Sequence, residues 1–290
     1  MLSRKEIKEI LLAAGVVLKK HRGQVFITNR RVLTEMVEGG LEGWGRQTAV
    51  YEFGTGLGNL TEALAQRAGF VFSVEIDPRL HRQAVRLLRN LKNVTLVCAD
   101  GIRNGRLRSD LLQRFLSAAK EKSLTRFLFA SNMPYNVSGV VLVSLAMLPS
   151  EFTRCILMCQ REVADRVEAT PKSKDFGPIS VLLQHCYSIR RLFNVGRDCF
   201  YPRPEVASAV LRFDRKGYLP SSKQEAIFGI ISGFFRMRRK TLRHNLRRGM
   251  GLGAEEVDAL LERFAIAKEA RAEEVEAEKL WALAEELLQQ

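Results

Sequence analysis

Thr48-Ala49-Val50-Tyr51-Glu52-Phe53-Gly54-Thr55-Gly56-Leu57-Gly58-Asn59-Leu60-Thr61 decides the fold of this chain. Thr48–Phe53 is a short apolar run that stops at a glycine-rich turn, and Leu60–Ala68 beyond it has helical spacing. Working outward, Phe70–Ile76 is β-branched and aromatic, Leu80–Leu91 is helical, and Val94–Cys98 is another strand. Phe127–Ala130 follows a further helical stretch; Val140–Leu148 reads as a buried helix, and Cys155–Cys159 and Ala207–Phe213 as late strands. Strands alternating with helices predict a parallel sheet covered on both faces. In such sheets ligands gather beyond the carboxyl ends of the strands, near the point where strand order reverses. Lys216–Ser222, with Gly, Pro and two Ser, marks a boundary, and the pattern after it is helical throughout. The expectation is an α/β domain over 1–216 and a small all-helical domain over 217–290, without internal repeats or low-complexity tracts.

Composition narrows the class. With 290 residues, 46% hydrophobic and 27% charged, the chain has material for a sizeable core, which excludes collagen, disorder and disulfide-rich miniatures. Val140–Leu148, interrupted by Ser144, is far short of the roughly 20 apolar residues of a membrane helix. No signal-peptide core opens the chain, and five cysteines (98, 155, 159, 186, 199) form no CxxC pair. A reduced, cytoplasmic, monomeric chain is expected. The formal net charge is +14, yet from Met250 onward 11 acidic and 4 basic residues give −7, leaving +21 on residues 1–249. A body this basic is expected to meet a polyanion, RNA or DNA, rather than a membrane.

The G-x-G-x-G spacing of Gly54, Gly56 and Gly58 differs from the G-x-G-x-x-G of dinucleotide binders. It suits a nucleoside without phosphates, approached closely because no Cβ intrudes. Glu75, 21 residues after Gly54 at the end of the second strand, can accept from both ribose hydroxyls. Asp100, ending the third strand, can accept from an exocyclic adenine amine. Together these point to S-adenosylmethionine.

Asn132-Met133-Pro134-Tyr135 follows the fourth strand directly. The exocyclic amine of adenine is a poor nucleophile, since its lone pair delocalises into the ring. The Asn132 side-chain oxygen and the Met133 or Pro134 carbonyl can each accept one of its N–H bonds, holding the nitrogen toward a sulfonium methyl. Pro134 stiffens the turn, and Tyr135 offers a face for an extruded base. Asn132, Pro134 and Tyr135 are the expected catalytic residues.

These residues carry a resemblance to the ribosomal RNA adenine N6,N6-dimethyltransferases, relatives of the erythromycin-resistance methylases. It extends through Lys19-Lys20-His21-Arg22-Gly23-Gln24-Val25-Phe26-Ile27, Glu52–Thr61, Val74–Asp77, Ala99-Asp100 and Asn132–Tyr135. It continues in Gln160–Ala164, Phe200-Tyr201-Pro202-Arg203-Pro204-Glu205-Val206 and Arg238-Arg239-Lys240-Thr241-Leu242-Arg243. The resemblance implies a Rossmann-like class I S-adenosylmethionine-dependent methyltransferase sheet with a helical RNA-facing domain. It implies dimethylation of two adjacent adenosines near the 3′ end of small-subunit ribosomal RNA, on the RNA or the immature subunit. It also implies that Val25 and Ile27 touch the cofactor with Gly54, Gly56, Glu75, Asp100 and Asn132. Phe200 is then expected to approach the target adenine opposite Tyr135. Val25 stands where the family usually carries Asn, Glu205 where F-x-P-x-P-K-V has Lys, and His21-Arg22-Gly23 replaces part of K-R-F-G. The other readings are a catalytically slow assembly factor on the immature subunit, a paralogue acting on another RNA, and a DNA adenine methylase.

Arg236–Arg248 holds seven Arg or Lys in 13 residues. Helical spacing predicts Arg236, Lys240, Arg243 and Arg247 on one stripe, and with Arg239 these are the expected phosphate contacts. The four histidines show no ligand spacing, so no metal is expected. Cys155 and Cys159 read as core, and Trp44 and Trp281 as packing residues.

Overall fold

The computed structural model describes residues 1–16, 18, 24–217 and 220–289; the Lys19–Gly23 part of the family-like segment lies outside the described residues. The N-terminal elements are α1 (Arg4–Ala13), β1 (Phe26–Ile27) and α2 (Arg30–Leu41). The nucleus of the fold follows: β2 (Thr48–Phe53), α3 (Asn59–Ala65), β3 (Phe70–Glu75), α4 (Pro78–Leu87) and β4 (Val94–Cys98). A small hairpin, β5 (Ile102–Arg103) and β6 (Arg106–Leu107), leads to α5 (Ser109–Glu121), β7 (Arg126–Asn132), α6 (Ser138–Ala146) and β8 (Phe152–Gln160). Then come α7 (Arg161–Glu168), α8 (Pro178–Cys186), β9 (Tyr187–Val195), β10 (Phe200–Tyr201) and β11 (Ser208–Arg215). The last helices are α9 (Ser221–Phe234), α10 (Leu242–Met250), α11 (Ala254–Arg263) and α12 (Ala277–Gln289).

Seven strands form one sheet in the order β4-β3-β2-β7-β8-β11-β9. Strands β4, β3, β2, β7 and β8 run parallel. β11 runs antiparallel to β8, with Ser208 opposite Gln160 and Asp214 opposite Arg154. The expected all-parallel sheet is thus mixed. A parallel neighbour needs a long crossover, usually a helix. Residues 196–207, which lead into β11, hold only a 3-10 turn and β10. Strand order reverses between β2 and β7, so the ends of those two strands open the crevice where the glycine turn and Asn132 meet.

Every residue of β2 and β3 is buried, as a strand covered on both faces requires. Tyr51 stacks between Phe72 and Phe129 at 5.8 and 5.7 Å, and Phe115 of α5 meets its edge at 5.7 Å. Cys155 and Cys159 are fully buried in β8. Trp44 packs under the Arg154 guanidinium, 4.1 Å from the ring centroid, while Arg154 bonds Asp214 at 2.7 Å.

The chain divides into two compact units. The first comprises Met1–Val141, Ser150–Ala164 and Ile189–Asp214; the second comprises Leu142–Pro149, Asp165–Ser188 and Arg215–Gln290. Within the second, α12 packs on α8 and α9, and α10 on α9 and α11. Trp281 of α12 stacks on His185 of α8, with centroids 3.6 Å apart and planes 7° from parallel.

Candidate cofactor and base site

The turn after β2 is built from backbone that only glycine adopts without strain. Gly54, Gly56 and Gly58 have φ of +89°, +58° and +89°. The Gly54 amide donates to the Val74 carbonyl at 2.9 Å, tying the turn to β3. The Gly56 amide donates to Glu75 Oε2 at 2.7 Å, and the Asp77 amide to Oε1 at 2.9 Å. The Glu75 carboxylate is thereby fixed at the end of β3. Burial pushes its pKa up, opposed by those two backbone donors. Asp100 is exposed beyond β4, and its Oδ1 accepts from the Ile102 amide at 2.9 Å.

On the other side of the crevice, Ser131 Oγ donates to the Phe53 carbonyl at 2.7 Å and locks the end of β7 to that of β2. Asn132 Nδ2 donates to the Val25 carbonyl at 2.9 Å. This bond leaves the amide oxygen as the group available to accept. The Pro134 carbonyl already accepts from the Val137 amide at 3.2 Å, so the second acceptor foreseen in this turn is that of Met133. The Pro134 ring lies 3.7 Å from where a Cβ on Gly54 would sit, so the two turns touch.

A cavity of about 340 Å³ opens between these elements. Val25, Ile27, Gly54, Gly56, Glu75, Asp100, Asn132 and Pro134 all line it. Asn136 and Val137 extend it past the tetrad, where the sequence offered no signal. Two acids and no Lys or Arg face the cavity among the described residues. Such a lining repels phosphate and favours a cation on a nucleoside, and it fits S-adenosylmethionine. Phe26 closes over the turn: a Cβ on Gly56 would lie 3.1 Å from its ring.

Tyr135 stands beside the cavity, half-buried, with its hydroxyl 3.1 Å from Ser208 Oγ. Phe200 is elsewhere. It is fully buried in the cluster that holds Ile27, Val195 and Val210. β10 pairs antiparallel with β1, Ile27 opposite Phe200, and the ring belongs to the core cluster and not to the cavity lining. Two residues escaped the sequence reading. Asn59 binds β1 and the N-terminus to α3, donating to the Ile27 carbonyl at 2.7 Å and accepting from the Leu2 amide at 2.9 Å. Glu52 is completely buried beneath the turn and accepts from Thr61 Oγ1 at 2.6 Å. Burial raises its pKa to about 7, against the opposing hydrogen bonds of Thr61 and Ser73.

The basic stretch does not form the expected helical stripe. α9 ends at Phe234, and α10 begins only after Thr241, whose hydroxyl caps it by accepting from the His244 amide at 3.1 Å. Asn245 folds the intervening turn back, accepting from the Met237 amide at 3.1 Å. Arg236, Arg239 and Lys240 therefore project from a turn, exposed and without an acidic partner among the described residues. Arg243 differs, since both its Nε and Nη2 bond the Asp258 carboxylate at 2.6 and 3.0 Å. Its charge is met within the protein, which weakens the expectation that it binds phosphate.

Three comparisons bear on this site. The family model for ribosomal RNA adenine dimethylase matches residues 16–289. The Ribosomal RNA small subunit methyltransferase A of Enterococcus faecalis is 32% identical over 263 residues, 90% of this chain and 86% of that protein. The protein of the same name from Thermotoga petrophila is 35% identical over 234 residues, 80% of this chain and 81% of its own. Among solved structures, a dimethyladenosine transferase from Plasmodium falciparum has a TM-score of 0.71 at 19% identity, covering 91% of this chain and 98% of that one. The 23S rRNA methyltransferase ErmE has a TM-score of 0.62 at 23% identity, over 91% of this chain and all of its own. These likenesses show the same fold. With the family match spanning nearly all of a chain whose glycine turn, Glu75 and Asn132 share one cavity, the chain belongs to the ribosomal RNA adenine dimethylases.

Proposed function

We propose that this chain dimethylates N6 of two adjacent adenosines near the 3′ end of small-subunit ribosomal RNA during assembly of the subunit. As a ribosomal RNA adenine dimethylase it is an S-adenosylmethionine-dependent methyltransferase. Two relatives that match most of the chain are named for the small subunit, which supports that target. When bound, S-adenosylmethionine supplies an electrophilic methyl on a sulfonium.

The protein's own residues do the rest. Glu75, held by the Gly56 and Asp77 amides, orients the ribose, and Asp100 reads the adenine amine. Val25, just before β1, and Ile27 within it cover the donor, and Phe200 pairs opposite Ile27. The observation that carries the reading is the Asn132–Val25 bond: it engages the amide N–H of a residue that lines the cavity and so leaves Oδ1 as its acceptor for the target amine. In the first transfer Oδ1 and the Met133 carbonyl accept the two N–H bonds of the target amine, which frees its lone pair from the ring. In the second a single N–H remains to be held. Each transfer leaves the sulfur neutral and releases one proton from the methylated, now acidic, nitrogen to water. Tyr135 stacks on the extruded base beside them. Arg236, Arg239 and Lys240 bind RNA phosphates from the second unit.

The test is transfer of labelled methyl to small-subunit particles that lack the modification, with N6,N6-dimethyladenosine read by mass spectrometry. Asn132→Ala should lower transfer by at least roughly a hundredfold, the cost of losing a preorganised transition-state contact, while the variant still binds the particle. Unchanged methyl incorporation in that variant refutes the role of Asn132.

A further inference from the structure

From Pro78 to Cys98 the chain contains no Asp or Glu, but it carries Arg79, Arg82, Arg86, Arg89 and Lys92. Leu80, Ala84 and Leu88 form the buried side of α4 and the turn after it. Arg82, Arg86 and Arg89, spaced by four and three, share the exposed side. None of the three has an acidic partner among the described residues.

Folding does not account for such a face. Like charges three and four apart on a helix repel, and of the α4 arginines only Arg86 lies in the last turn, where the dipole favours a cation. Other exposed arginines of the same unit are neutralised: Arg31 bonds Glu35 at 2.6 Å and Arg67 bonds Glu38 at 2.8 Å. The α4 region instead gathers its cations close together with no acid among them. It also starts at the cavity, since Ile76 and Leu80 line the opening.

We propose that the exposed face of α4, carrying Arg82 and Arg86, together with Arg89 in the turn after it, is an RNA-phosphate docking surface belonging to the catalytic unit itself, distinct from the basic turn of the helical unit. The proposal rests on the RNA-methylating reading above and deepens it. Arg82 and Arg86, four residues apart on α4, are separated by a rise of roughly 6 Å, close to two nucleotides of one strand, and Arg89 follows in the turn. Guanidinium groups at that pitch pair with successive phosphates and hold a strand so that an extruded base enters beside Leu80. An acidic protein partner is less well matched, because of the large apolar residues of α4 only Val85 and Leu87 are exposed.

The experiment compares the full-length native chain with R82A/R86A/R89A, in which Ala keeps the helix favourable, and with R82K/R86K/R89K. Binding is measured to a fluorescein-labelled RNA duplex of about 20 base pairs across a salt series. The Ala variant should bind on the order of tenfold more weakly, and its log–log salt slope should fall by about two to three. The Lys variant should stay near the native affinity; donor affinity should be unchanged in both, and the unfolding midpoint of the Ala variant should be no lower than that of the native chain. Native affinity and slope in the Ala variant would overturn the proposal. So would an Ala variant that keeps duplex binding but loses small-subunit particles, which points to a protein partner. A native chain that binds duplex through α4 yet leaves no methyl on particles would overturn the methylation reading alone.

Discussion

Glu52 lies beneath the glycine turn with no exposed surface, held by the Thr61 hydroxyl, and its Oε1 has no hydrogen-bond partner among the described residues. A carboxylate placed there is costly, and burial lifts its pKa from 4.5 to about 7. The unfolded chain releases this proton near pH 4.5, and the folded chain keeps it to about pH 7. Between those values the folded state binds the extra proton, so stability falls as pH rises and levels off above about 7. The loss is at most ~3 kcal/mol. Gln at this position cannot ionise. The stability difference between Glu52→Gln and the native chain should therefore move in favour of the variant by up to ~3 kcal/mol from about pH 5 to about pH 8, in denaturant titrations. A difference independent of pH would show that Glu52 is not the titrating group.

At the scale of elements, the β2–α3 turn is the part whose backbone cannot be traded. A Cβ on Gly58, already at φ +89°, would sit 2.6 Å from Leu88 Cδ1. Gly58→Ala should cost ~2–3 kcal/mol and weaken donor binding, since the same turn presents the Gly56 amide to Glu75. Gly139→Ala is the control: in α6, with open space around an added Cβ, it should be neutral or slightly stabilising. Thermal unfolding and calorimetric donor titration measure both, and equal costs for the two variants would refute the strain argument. β2 and β3 were legible to within a residue because burial on both faces writes a continuous apolar run, whereas β7 and β8 extend up to two and three residues beyond the ends read from the sequence. β9 was not. Its faces are mixed, with Arg190 and Arg191 in mid-strand, so no period emerges from Tyr187–Val195. The β1–β10 pair was equally silent, since two residues pair with two others more than 170 positions away.

For the whole molecule, the net charge of +14 is distributed as separate unpaired clusters set against paired ones. Arg236, Arg239 and Lys240 stand open, whereas Arg243 is bonded to Asp258. Removing R236, R239 and K240 together by Ala substitution should lower the salt slope of RNA binding by about two to three, while Arg243→Ala should leave it nearly unchanged. Fluorescence titrations at several salt concentrations read both. A slope that falls as much for Arg243→Ala would mean that Asp258 releases it to the RNA. No helix among the described residues is long and apolar enough to cross a membrane.

The sequence by itself determined the α/β nucleus, the glycine turn, the two strand-end carboxylates and the Asn132 tetrad. Each is a local signal: strand burial, backbone freedom and strand-end placement are all written within a few residues of one another. Tertiary structure alone decided which way the Asn132 amide faces, because its partner Val25 is 107 positions distant. It alone buried Phe200 through pairing with β1, broke the basic stretch at Thr241, and satisfied Arg243 with Asp258. Charge and aromatic residues are visible in a sequence; whether another part of the chain has already taken them up is settled only when distant segments meet.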